Sequence, residues 1–509
     1  MDTCEDSAGA SARGNSSPHL KAGGSLPHNA EHPKYDAIVI GSGPNGLAAA
    51  ITLAQAGQSV ALFEARETIG GGSRSMEMTL PGFIHDVCSA VHPLALESSF
   101  FSSLPLEQFG LEMIQPSAPL AHPLDNGAAV MLERSIEVTA SRLGKDARAY
   151  RKLMTPLVAH WDKIRGSVRE PLGPHIALHP IARADFGLKA IRSARGLAES
   201  LFEDEQASAI FAGMCAHSMM SLEKPPSAGA GLLLGILGHA VGWPIPRGGS
   251  QMIVDALAAY FLSLGGEIIT GVEVKSIDAL PPASIILCDI TPRQLLRIAG
   301  DYLPNSYQWQ LKRYRYGPGI FKIDYALDGP IPWKAEECLR AGTVHVGGTF
   351  EEVAASERAV TLGEHPEKPF VLVAQQSLFD PSRAPEGKQT AWVYCHVPNG
   401  STFNMTERIE SQIERFAPGF HDRILAKSTI NSLELEHYNA NYIGGDINGG
   451  VQDLWQFFTR PTIRFVPYTT PAKNIFICSS STPPGGGVHG LCGYFAAQAA
   501  LRQLHLPKK

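Results

Sequence analysis

The sequence contains no Cys-x-x-Cys pair, no apolar run long enough to cross a bilayer, no dense block of lysine and arginine, and no internal repeat. Each absence removes a class of function. The eight cysteines, at positions 4, 88, 215, 288, 338, 395, 478 and 492, are scattered and lack metal-ligand spacing with histidine. A dithiol oxidoreductase needs two thiols close enough to exchange, one of them activated, so that chemistry is set aside and a reducing compartment is expected. The most apolar segment, residues 228–243 (AGAGLLLGILGHAVGW), contains His239 and falls short of the roughly 20 residues that a spanning helix needs. A net charge of -6 gives no overall positive field for phosphate backbones, which argues against nucleic acid as a partner.

Residues 1–33 have neither the apolar h-region of a signal peptide nor the Arg-rich, acid-poor composition of a transit peptide. They read as a disordered tail ahead of a cytoplasmic protein. A length of 509 residues is about three times a common domain, so interleaved lobes are expected. A hydrophobic content of 44% against 18% charged describes a globular chain, and fifty glycines point to many turns set by the backbone.

Residues 35–40 (YDAIVI) form a short β-branched run, followed by a tight turn and then helical apolar spacing through Leu47, Ile51 and Ala54. Gly57 ends the helix, residues 59–63 (SVALF) read as a second strand, and Glu64 closes it. This is a β-α-β unit. A long helical stretch over about 146–212 stands outside any Rossmann sheet. Residues 251–263 read as a helix followed by a strand pair that includes 271–274, and 285–288 and 475–478 as core strands. The runs 321–327 and 370–374 read as strands of a second sheet.

The turn Gly41-Ser42-Gly43-Pro44-Asn45-Gly46 carries the most specific chemistry. Gly41 permits the sharp turn, Gly43 lets the backbone approach a pyrophosphate, and Gly46 lets helix and sheet pack closely. The helix N-terminus presents N–H groups and a positive dipole end to phosphate. Glu64, 18 residues after Gly46, stands where a carboxylate accepts hydrogen bonds from ribose hydroxyls.

The segment Glu64-Ala65-Arg66-Glu67-Thr68-Ile69-Gly70-Gly71-Gly72-Ser73-Arg74 resembles the Glu-x5-Gly-Gly signature of the FAD-binding oxidoreductases that include phytoene desaturases, carotenoid ketolases and amine oxidases. In that family an arginine often follows the glycines and faces the pyrophosphate. Here Gly72 holds its place and Arg74 comes two residues later. The C-terminal run from Ser479 through Thr482, Gly485, Gly487, Val488, His489 and Gly490 is similar to the glycine-rich segment of phytoene desaturases, with Pro483 in place of the family histidine. Residues 246–250 and 271–274 match the same family's middle block.

The resemblance implies an α/β protein: a Rossmann-like FAD-binding lobe from 34–110, 245–300 and 465–509, with a discontinuous α+β substrate lobe from 111–244 and 301–464. It implies that FAD is held by Gly41, Ser42, Gly43, Pro44, Asn45, Gly46, Glu64, Ala65, Gly70, Gly71, Gly72, Arg74, Val274 (backbone to adenine), Thr482, Gly487, Val488 and His489. His489 would lie beside the isoalloxazine or cap a helix. The expected reaction is hydride transfer between flavin N5 and a hydrophobic small molecule, with peripheral contact at a membrane through 228–243 or its neighbours. A flavin amine oxidase with Trp392, Tyr394 and Tyr442 as aromatic walls, and an FAD-binding interaction protein without turnover, are the alternatives. Lys322 and Asp324 share one strand face, as a lysine near the flavin or as a surface or structural ion pair. His85 and His92 lack metal-ligand spacing and read as ordinary core or surface residues.

Overall fold

A computed structural model describes residues 21–22, 35–169 and 179–504. The tail expected over 1–33 lies outside the described residues apart from Lys21–Ala22, a short edge strand parallel to Ile269 and Thr270.

Two sheets organise the chain. The first has six parallel strands in the order Lys21–Ala22, Glu267–Thr270, Val60–Phe63, Tyr35–Ile40, Ala283–Cys288 and Ile475–Ile477. Its central strands are almost continuously apolar because helices cover both faces. On one face Pro44–Gln55, Gln251–Ser263 and Leu491–Leu504 share a core that includes Leu47, Ile51, Leu257 and Ala496. On the other, Pro292–Ala299 and Asn305–Lys312 bring Leu295, Tyr307 and Leu311 against Ile38, Phe63 and Ile286. Tyr35–Ile40 has Val60–Phe63 on one side and Ala283–Cys288 on the other, so its carboxyl end opens at a switch in strand order, where doubly wound sheets bind ligands.

The second sheet has seven strands in the order Ile424–Ile430, Gly319–Leu327, Gln389–Val397, Val371–Ala374, Ala341–Val346, Ala118–Pro123 and Ala129–Leu132. Its pairings are antiparallel except between Ala341–Val346 and Ala118–Pro123. One face packs on helices that include Ala147–Ala159, Glu205–Ala216 and Ala228–Ala240, the other on Thr406–Phe416.

Three sequence expectations change. The helical stretch over 146–212 is broken into separate helices, among them Trp161–Arg169, Pro180–Ala190 and Ala194–Glu199. The strand expected over 271–274 lies earlier, at Glu267–Thr270; Gly271, at φ +71°, ends it and turns Val272 to Val274 out of the ladder. The apolar stretch 228–243 offers no exposed mouth: Leu232, Ile236 and Leu237 are fully buried because the helix is enclosed in the core beneath the second sheet. No helix among the described residues is long and apolar enough to cross a membrane.

Candidate functional site

The turn between Tyr35–Ile40 and Pro44–Gln55 is built on contacts only glycine allows. A Cβ on residue 46 would lie 1.9 Å from the Gly41 carbonyl oxygen, and Gly41 itself has φ +101°. Pro44 has no N–H to offer at the first helical position, and the Gly46 N–H donates to Asp289 Oδ2 at 2.9 Å. Asp289, immediately after the strand Ala283–Cys288, thus caps the helix from another part of the chain. Burial pushes its carboxyl up to about 7; the Gly46 bond opposes the shift and the charge of Glu64 adds to it.

Glu64 is 7% exposed and already a full acceptor. Its Oε2 accepts from Ser42 N at 3.0 Å and Ser42 Oγ at 2.5 Å, and its Oε1 from Arg66 N at 2.9 Å and Arg74 Nη2 at 3.2 Å. Arg74 also donates to the Thr68 and Ile69 carbonyls, so the arginine faces the acid at the strand end. Gly72 is the counterpart of this arrangement. The Tyr442 hydroxyl comes within 1.9 Å of where a Cβ at residue 72 would stand, filling the space that a larger side chain needs. Gly71 brings the same loop to the first one: its Cβ would be 3.1 Å from Gly43 Cα.

These groups line a single cavity of about 860 Å³. Of the residues read from sequence, Gly41, Ser42, Gly43, Pro44, Asn45, Glu64, Ala65, Gly71, Gly72, Arg74, Val274, Gly487 and Val488 are on its wall. Gly46, Gly70, Thr482 and His489 are not among the lining residues. Gly46 and Gly70 shape the loops from behind, and Thr482 Oγ1 donates to the Ser479 carbonyl at 2.8 Å inside its own turn. His489 takes the capping role: its Nδ1 accepts from Leu491 N at 3.0 Å at the start of Leu491–Leu504, and its Nε2 meets the Gly485 carbonyl at 3.2 Å.

The other end of the cavity is a face of the second sheet. Thr343, Leu372, Trp392 and Tyr394 project into it, joined by His217, Leu234 and Trp243. Lys322 and Asp324 pair in register with Tyr394 and Trp392 and are fully buried, so their ion pair is internal and the surface alternative is removed. Asp324 stands 3.6 Å from His85, and Arg383 2.9 Å from Asp86. Burial holds His85 down to about 3, helped by Lys322 and Arg383; burial raises Asp324 to about 6 against the pull of Lys322. His92 is likewise internal, 2.7 Å from Ser250 Oγ. No group of His, Cys, Asp or Glu among the described residues is arranged to hold a metal ion, and the seven described cysteines are buried and unpaired.

Sequence reasoning missed Asp289, Tyr442 as the partner of Gly72, and His217. Only Asp289 had a local signal, its place one residue beyond a parallel strand.

The family model described as NAD(P)-binding Rossmann-like domain matches residues 39–98. The mouse (Mus musculus) pyridine nucleotide-disulfide oxidoreductase domain-containing protein 2 is 26% identical, with 93% of this chain and 94% of the mouse protein covered. A lycopene-forming phytoene desaturase of Pantoea ananas is 24% identical, covering 91% of this chain and 98% of its own. Among solved structures, an oxidoreductase from Methanosarcina mazei superposes with a TM-score of 0.62 at 17% identity, over 92% of this chain and 100% of its own, which shows a shared fold. The chain is therefore a homologue of the phytoene desaturases and of pyridine nucleotide-disulfide oxidoreductase domain-containing protein 2.

Proposed function

We propose that the chain is an FAD-dependent oxidoreductase that transfers hydride between a largely apolar organic substrate and flavin N5. The observation that carries this reading is one unbroken cavity of about 860 Å³ whose wall runs from the glycine turn and Glu64 to Trp392 and Tyr394. A dinucleotide alone would leave the aromatic end without a purpose.

The residues present fit the cofactor. Absent Cβ atoms at Gly43 and Gly71 let two loops meet beside the helix N-terminus, the arrangement that admits a pyrophosphate. Glu64 would hold the ribose, with its hydroxyls replacing Ser42 Oγ and Arg74 Nη2 as donors. Val274 backbone atoms would border the adenine, and Gly487 and Val488 the flavin. FAD bound there supplies the hydride donor or acceptor. The chain's own residues then have two tasks: to fix the substrate against the sheet face and to exclude water. Homology to a phytoene desaturase supports an extended hydrophobic substrate.

Purified protein should be yellow and release FAD on acid precipitation, and anaerobic titration with a panel of apolar alcohols, amines and polyenes should bleach the flavin with one class. Replacing Glu64 with alanine should weaken FAD binding at least tenfold, from loss of charge-assisted bonds worth about 1.5–3 kcal/mol each. Release of NAD alone, or unchanged FAD affinity in the variant, overturns the reading.

A further inference from the structure

Four carboxylates line the cavity, and all stand toward the nucleotide loops. Glu64 and Asp289 belong to the glycine turn, Glu273 is bonded to Arg297 at 3.1 Å, and Glu436 to Arg293 at 3.0 Å. The wall formed by His217, Trp243, Thr343, Leu372, Trp392 and Tyr394 contributes no charge.

Its polar groups are uncharged: the Thr343 and Tyr394 hydroxyls, the Trp392 indole and the His217 imidazole. His217 Nε2 lies 3.0 Å from Nε2 of His345, with the rings 4.9 Å apart, which leaves His217 Nδ1 for a ligand. His345 is fully buried behind it, enclosed by Trp243 and Phe370 at 6.1 and 5.4 Å between centroids. Gly213 makes room for this: a Cβ there would be 2.8 Å from His345 Nδ1 and 3.0 Å from His122 Nδ1. Burial, with His396 nearby adding to it, holds His217 down to about 3, and burial with the neighbouring histidines keeps His345 well below the ordinary imidazole range. Both rings are neutral near pH 7, and a neutral imidazole can accept one hydrogen bond and donate another. Trp392 is 8% exposed and its Nε1–H is buried without a partner. Such an orphan donor costs free energy until an oxygen meets it.

We propose that this chamber selects an uncharged substrate, an apolar body bearing one hydroxyl or carbonyl oxygen, with that oxygen bonded to His217 and the body packed against Trp243, Trp392 and Tyr394. The inference rests on the reading that FAD fills the nucleotide end of the same cavity. A protonated amine would be desolvated here with no carboxylate on the lining to meet it, Asp324 being already paired with Lys322, and the cation–π attraction of aromatic faces, about 0.5–2 kcal/mol, offsets only part of that loss. His345 acts through His217 as a positioning residue that fixes its ring.

Geraniol and geranylamine share one C10 skeleton and differ in the head group, so they serve as probes. Calorimetric titration of the protein as purified, at pH 7.5, should show geraniol binding at least tenfold more tightly than geranylamine. His217→Phe keeps the ring and should weaken geraniol about tenfold with no effect on FAD content, while His217→Gln, which retains a donor and an acceptor, should recover most of the affinity. Equal or tighter binding of geranylamine, unchanged geraniol affinity in a folded His217→Phe, or no binding of either probe overturns the proposal. If a variant does not fold, the two-probe comparison on the unaltered chain decides it. FAD release is measured on the same samples: absence of FAD would sink the cofactor reading and this proposal with it, whereas FAD with the preference reversed would overturn this proposal alone.

Discussion

The two ends of the cavity solve opposite electrostatic problems. At the glycine turn, a helix N-terminus, the Glu64 carboxylate, Arg66, Arg74 and the Asp289 carboxyl are gathered within one small region, and their charges and N–H groups are mutually satisfied. On the second sheet, His217 and His345 are kept neutral by burial, and the true charges, Lys322 and Asp324, share the face of Tyr394 and Trp392 but are fully buried and paired with each other. The first end suits the proposed dinucleotide, which carries charge with it. The second offers no charged group on its lining. The difference also lies in construction: the charged end is mainly backbone geometry from residues close in sequence, whereas the neutral end joins a helix end at His217 to strands that begin more than a hundred residues later.

If that contrast is right, the charged end should be sterically intolerant. Gly46→Ala is expected to give the largest effect, above about 4 kcal/mol or failure to fold, because its Cβ would stand 1.9 Å from a backbone carbonyl oxygen that cannot move aside. Gly57→Ala, with φ +78° but no atom within 4 Å, should cost only about 1 kcal/mol. Chemical denaturation of both variants makes the comparison, and a Gly46→Ala protein as stable as Gly57→Ala would break it.

A smaller effect separates the ends by pH. The folded chain holds the Asp289 proton up to about 7, whereas the unfolded chain releases it near 3.8, so this group makes stability fall as pH rises from about 4 to about 7 and leaves it level above. Asp289→Asn should remove that fall. The variant should gain about 2–4 kcal/mol over the unaltered chain at pH 8 and little at pH 4.5, read from denaturant midpoints at the two pH values. A parallel pH response in both proteins would show that Asp289 is not the group that titrates.

The smallest expected effect marks the boundary of the charged end. His489→Ala should cost about 0.5–2 kcal/mol, the loss of a helix cap, with FAD content and flavin reduction potential unchanged. A shifted potential would return His489 to the cofactor's surroundings and extend that end of the cavity to the terminal helix.

The glycine turn and Glu64 were legible because their physics is local: a strand must turn within a few residues, only glycine allows the approaches, and the acid follows at the next strand end. The Rossmann-like fold class could be read from the same unit. The strand expected over 271–274 was displaced because Gly271, a permissive residue in sequence, ends the ladder at positive φ. Lys322 and Asp324 showed a shared face from strand alternation, but alternation does not say which face is covered, and the packing of His85, Asp86 and Arg383 over it decided for burial.

By itself, then, the sequence determined the glycine turn and the acid at the strand end. Only the tertiary structure decided that Asp289 caps the first helix, that Tyr442 fills the space left by Gly72, that His489 caps the last helix, and that His217 and His345 meet across 128 positions of chain. The physical reason is range: hydrogen-bond geometry and glycine sterics act between neighbours in sequence, whereas burial and its effect on charge depend on every segment that packs around a group.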